Sequence, residues 1–158
     1  MEMIPILNRC HRFPGFVYQH ASFGADKKSI EVAVRPRKGS AAVLLALPFA
    51  GARVPPTRRT PFEFIPLWGF LVFLLYTMWR IDCRRCGVVA VEEVPWGGGK
   101  RSLSRAYMLF LTRRARRQSR KETAEASRTS WDKVFDAVEH VVTWGLEHRT
   151  PGQVTRRA

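Results

Sequence analysis

Two groups of residues in this chain could do chemistry. Cys83 and Cys86 form a C-x-x-C pair followed by Gly87, the spacing with which a tight turn presents two thiolates to a metal ion. A structural zinc ion takes four ligands, so this pair is half a site. Cys10 and His11 are the only other nearby donors, and being adjacent in sequence they are poorly placed to complete one tetrahedron. Zinc through Cys83 and Cys86 is therefore the one cofactor the sequence suggests, in a half site expected to stand unfilled.

The second group is a run of positive charge. Between positions 100 and 121 there are nine Lys or Arg and no Asp or Glu, and the whole chain carries 27 basic against 13 acidic residues, a formal charge of +14. Such a balance calls for a polyanion, bound through phosphate neutralisation and counterion release. Arg113, Arg116, Arg117, Arg120, Lys121 and Arg128 are the expected backbone contacts. Ser130, Trp131 and Lys133 are the residues expected to face base edges.

These side chains need helices to hold them. Ser102 or Ser104 can cap a first helix, and Leu103, Ala106, Tyr107, Phe110, Leu111 and Ala115 recur on one face of it, which is expected to be buried. Ser119 and Glu122 have the spacing of a capping box, so a second helix starts there and ends near Ser127. Arg128, Thr129 and Ser130 make a turn. Ser130 caps a third helix, to which Val134, Val138, Val141 and Gly145, with Phe135 and Val142 beside them, give an apolar stripe. Two short-linked helices of this kind outline a helix-turn-helix, with small Ala124 at the crossing and Arg128 where the turn usually has glycine. Arg114 and Gln118 fall where the first helix calls for apolar groups, and Ser127 does so in the second. A charge buried there would be costly, so Arg114 is expected to snorkel outward or to weaken the domain.

Upstream the pattern changes. From 16 to 37, β-branched and aromatic residues flank the Gly24–Lys28 turn formers and predict a β-hairpin. The stretch 40–61 has neither strand alternation nor a helical face, and is expected to be disordered. The uncharged run 64–79 contains Pro66 and Gly69 and is short of the ~20 apolar residues of a membrane span. It reads as two buried strands, 62–67 and 70–81, with a single span near 64–79 as the competing reading. The fold class expected is α+β: a small antiparallel β part that is zinc-ribbon-like but degenerate over 14–94, a three-helix helix-turn-helix region over 100–149, and a tail at 150–158. With half its ligands missing, the N-terminal part should lack most of the ~10–16 kcal/mol that zinc supplies to a metal-linked fold, and so be the looser of the two.

The order of parts resembles the N-terminal region of transposases of the ISL-three insertion-sequence family. The resemblance rests on the strand-borne Cys83–Gly87 knuckle, Val-Glu-Glu-Val-Pro-Trp-Gly at 91–97, Tyr-Met-Leu-Phe-Leu at 107–111, Lys-Glu-Thr-Ala-Glu-Ala at 121–126, Ser-Trp-Asp-Lys-Val at 130–134 and Val-Thr-Trp-Gly-Leu-Glu-His-Arg at 142–149. It covers 62–149 well and 15–40 loosely. It implies a zinc-binding segment and a helix-turn-helix that binds terminal inverted repeats in double-stranded DNA. In the family these precede a catalytic domain with metal-binding carboxylates. No cysteine stands between 40 and 62, where the family has its first C-x-x-C; a shifted reading frame across Leu44–Leu47 would account for that and for the anomalous 40–61 stretch. No carboxylate follows Glu147. The expectation is a truncated, DNA-binding fragment that is not an enzyme, able to self-associate, bacterial, cytoplasmic and nucleoid-associated. The alternative is a small basic membrane protein.

Overall fold

The computed structural model describes residues 3–38, 52–54, 59–82, 89–97 and 101–149. The chain divides into two compact units, Met1–Tyr107 and Met108–Ala158. Cys83 and Cys86, residues 39–51 and 55–58, and the tail from 150 lie outside the described residues, and so does every expectation that falls on them.

The first unit is built from two β-hairpins. Strand β1 (Phe16–Phe23) pairs antiparallel with β2 (Ser29–Pro36). The expected hairpin is therefore present, with a register shift between Tyr18 and His20 that marks a bulge. Leaving β3 (Ala52–Val54) aside, the second hairpin is β4 (Thr60–Leu67) against β5 (Phe70–Tyr76). Its turn is the two-residue loop Trp68-Gly69, in which both residues have positive φ (49° and 80°). That is the backbone of a type I′ turn, whose twist matches the strands it joins.

The run read as two strands is thus a hairpin, and the competing span near 64–79 is corrected: 64–67 lie in β4 and 70–76 in β5. No helix among the described residues is long and apolar enough to cross a membrane. The expectation of a purely antiparallel part is also corrected. The sheet order is β1-β2-β5-β4, and its central pair, β2 with β5, runs parallel from Ser29 opposite Leu71 to Ala33 opposite Leu75. The sheet is mixed, in an α+β chain. A smaller sheet joins β3 to β6 (Arg80–Asp82) and β6 to β7 (Val89–Val91), both antiparallel. Residues 52–54, inside the stretch expected to be disordered, are therefore strand, and Thr60 and Pro61 open β4.

Alternation along the strands puts Phe16, Tyr18, Ile30, Val32, Val34, Phe62, Phe64, Val72, Leu74 and Tyr76 in one core. Helix α1 (Met3–Cys10) adds Met3 and Leu7 to it. Trp96 is its hub: the indole is 1 % exposed and lies 4.7 Å from the Phe16 ring, 5.0 Å from Phe13, 5.3 Å from Tyr76 and 6.2 Å from Phe62. Close packing continues at Gly97, where a Cβ would stand 2.9 Å from Val94 and 3.0 Å from Phe62. Glu92 is buried and accepts from the Tyr76 hydroxyl at 2.8 Å, tying the segment that carries Trp96 to β5. The Tyr18 hydroxyl donates to the His11 carbonyl at 2.8 Å, and burial raises its pKa to about 12. Burial likewise lowers the pKa of His11, whose ring meets Phe64 edge-on at 4.9 Å. This core was not anticipated for a part expected to be loose, and it is assembled from apolar burial, the dominant favourable term in folding.

Helix α2 (Arg105–Ala115) starts in the first unit, with the Ser104 hydroxyl accepting from the Tyr107 amide at 3.3 Å. The second unit continues α2 into α3 (Arg120–Ser127) and α4 (Trp131–Glu147). Met108, Leu111, Thr123, Ala124, Ser127, Val134 and Ala137 are its buried residues. The Thr112 hydroxyl reaches the Ala137 carbonyl at 3.2 Å, joining α2 to α4.

Candidate nucleic-acid interface

The caps that set the interface form as the residues dictate. Ser119 accepts from the Glu122 amide at 3.2 Å, while the Glu122 carboxylate accepts from the Ser119 amide at 2.8 Å and hydroxyl at 2.7 Å, a full capping box. The Ser119 hydroxyl, then its amide, hold the Glu122 pKa below the usual carboxylate value. Ser130 accepts from the Lys133 amide at 3.4 Å and starts α4.

Between the two helices the chain closes α3 with a Schellman arrangement: the Arg128 amide donates to the Glu125 carbonyl at 3.2 Å and the Thr129 amide to the Ala124 carbonyl at 3.0 Å. This closure requires a left-handed residue, and Arg128 adopts φ 51°, ψ 43°. The site where a turn glycine was expected thus keeps the glycine conformation with an arginine in it.

Arg113, Arg116, Arg117, Arg120, Lys121, Arg128, Ser130 and Trp131 are all exposed, and Lys133 is half-buried. Trp131, the first residue of α4, is 57 % exposed. Arg113, Arg116 and Arg117 come together on the last turn of α2 and beyond, where they line an open depression with Phe110, Arg114 and Gln118. Arg120 is held differently: its guanidinium carbon stands 4.9 Å from the centre of the Phe135 ring, a cation–π contact between the start of α3 and α4.

Three lining residues, Phe110, Arg114 and Gln118, were not among the expected DNA contacts. Arg114 is half-buried with its guanidinium carbon 5.5 Å from the Phe110 ring centre, so it snorkels along an aromatic face one helical turn away. Gln118 is exposed, so neither residue carries an unpaired charge or amide into a core. The i, i+4 spacing of Phe110 and Arg114 was the signal that could have found this pair. Ser127 is buried, as its place in the stripe implied. Among the described residues no group of three or more His, Cys, Asp or Glu could hold a metal ion.

What the arrangement can do is present guanidinium groups from α2, the segment after it, α3 and the turn at Arg128, with one exposed indole at the start of α4. Neither a family model, nor a curated protein, nor a solved structure matches the chain.

Proposed function

We propose that the helical region, 101–149, binds double-stranded DNA as a helix-turn-helix, with α4 as the element that meets base edges. The observation carrying this reading is the pair α3 and α4, each with its own serine cap, joined by a left-handed Arg128 and surrounded by exposed arginines. Arg113, Arg116, Arg117, Arg120, Lys121 and Arg128 position the phosphates. Ser130, Trp131 and Lys133 enter the major groove at the N-terminal end of α4, where recognition helices of this kind make base contacts. Asp132, exposed in the first turn of α4, favours the helix dipole and can accept from a cytosine amino group.

This is the role that the likeness to the N-terminal region of ISL-three transposases implies, with terminal inverted repeats as the target class. The same likeness makes the first unit a degenerate relative of a zinc ribbon. The test is fluorescence anisotropy of the full chain on a labelled duplex across a salt series. Changing Arg113, Arg116, Arg117 and Arg120 to Ala should flatten the dependence of log K on log salt by about four, one for each lost phosphate contact. Failure of the unaltered protein to bind any duplex in dilute buffer ends the proposal.

A further inference from the structure

The parallel pairing of β2 with β5 has a spatial result. The turns that precede these two strands, 24–28 and 68–69, must lie side by side at one end of the sheet, and the Leu71 amide donates to the Lys28 carbonyl across that gap at 3.3 Å. Trp68 is 69 % exposed at this end and Phe23 is 52 % exposed, the latter with its ring 5.4 Å from that of Phe70. Lys27 and Lys28 are exposed on the 24–28 turn.

An indole so exposed at a turn tip adds little to packing, and the Phe23 ring keeps half its surface open beside Phe70. The backbone adds a second observation. Trp68 and Lys27 have φ of 49° and 53°, a region in which a bulky L-residue is disfavoured by roughly 1–2 kcal/mol. The first position of a type I′ turn ordinarily carries Asn, Asp or Gly. Strained conformations kept by residues that do not suit them collect at binding sites. Asp26, the carboxylate of this tip, turns its Oδ1 to the Ser29 hydroxyl at 2.7 Å and to the Lys28 and Ser29 amides, and these bonds lower its pKa.

We infer that this end of the sheet binds single-stranded nucleic acid, with bases stacked on Trp68 and Phe23 and the backbone phosphates held by Lys27 and Lys28. Flat rings beside ammonium groups are the chemistry that grips an unpaired strand without regard to its sequence, each stacked base contributing ~1–3 kcal/mol. A duplex hides the base faces this surface would use, so it is a separate contact from that of the helices.

Trp68→Asn provides the decisive experiment, because strain relief and ligand loss act in opposite directions. The full chain carrying it should melt at a higher temperature than the unaltered protein, yet bind labelled oligothymidylate at least ten-fold more weakly. Lys27→Ala with Lys28→Ala should flatten the salt dependence on the same strand by about one to two. Arg113→Ala with Arg117→Ala, in the helices, should leave most oligothymidylate binding in place, so failure of the duplex proposal and failure of this one are told apart. Unchanged oligothymidylate affinity in Trp68→Asn overturns the inference. So does a surface that ignores the strand and instead takes the protein onto vesicles of anionic phospholipid through Trp68.

Discussion

Replacing Arg128 with Gly separates the backbone role of this position from its side-chain role. At φ 51° and ψ 43° a residue with a Cβ is disfavoured by roughly 1–2 kcal/mol relative to the right-handed region. Glycine escapes that penalty but loses more conformational freedom on folding, about 0.5–1 kcal/mol relative to Ala. The difference leaves a net gain of about 0.5–1 kcal/mol for Arg128→Gly, while the two carbonyls of the α3 closure keep their donors, which belong to the backbone. In a chain of 158 residues that is a rise in Tm of roughly 1–4 °C. Arg128→Ala retains the strain and should not share the rise. Both variants remove one proposed phosphate contact, so both should reduce the slope of log K against log salt on duplex DNA by about one. Thermal melts followed by circular dichroism, paired with anisotropy on the same samples, read both quantities. If Arg128→Gly melts no higher than Arg128→Ala, the turn is not governed by its left-handed backbone and the reasoning fails.

Other expectations can be checked on the same footing. Glu122 has its folded pKa below the ordinary 4.5, so its stabilising contribution is fully present above that value and disappears as pH falls through the folded pKa. Glu122→Ala should therefore lower the helical melt at neutral pH, with the gap from the unaltered protein closing in acid; a gap independent of pH would contradict this. Trp96→Ala opens a cavity among four rings and should cost about 3–5 kcal/mol, visible as early loss of the near-ultraviolet circular dichroism of the first unit. Gly97→Ala pushes a methyl against Val94 and Phe62 and should cost about 1–3 kcal/mol in urea unfolding, while an Ala at exposed Gly145, where no atom lies within 4 Å of a Cβ, should be neutral or mildly stabilising.

Features governed by neighbours in sequence were legible. The Ser119–Glu122 box and the Ser130 cap each depend on a side chain reaching an amide three residues away, so residue type and spacing suffice to predict them. The β1–β2 hairpin was readable for the same reason, since a turn signal and strand-forming flanks determine local pairing; the second hairpin was read as two strands without their pairing, and the strand expected over 70–81 ends at Tyr76, with 80–82 a separate strand of the smaller sheet. Helix α1 was not read: Met3, Ile4 and Leu7 become a buried face only once a sheet lies beneath them. Its Pro5 stands in the first turn, where a missing amide does no harm.

The parallel seam between the hairpins could not be inferred either, because nothing in 29–36 or 70–76 encodes which hairpin edge meets which. Trp96 was visible as part of a motif, but its place amid four rings depends on residues scattered from 13 to 76. In the candidate site, charge counting picks out the basic residues and says nothing of their posture. Arg120 over Phe135 and Arg114 over Phe110 are facts of geometry between side chains that charge counting treats as independent.

The seam also bears on how the chain reaches this state. Each hairpin can zip on its own within microseconds, but partners such as Ser29 and Leu71 lie about forty residues apart and must await closure of the intervening segment. Annealing of the two preformed halves is then the slow step of assembly. Because closure entropy grows only by about 0.6 kcal/mol per doubling of length, lengthening the connector should retard that step far less than a mutation at the seam would.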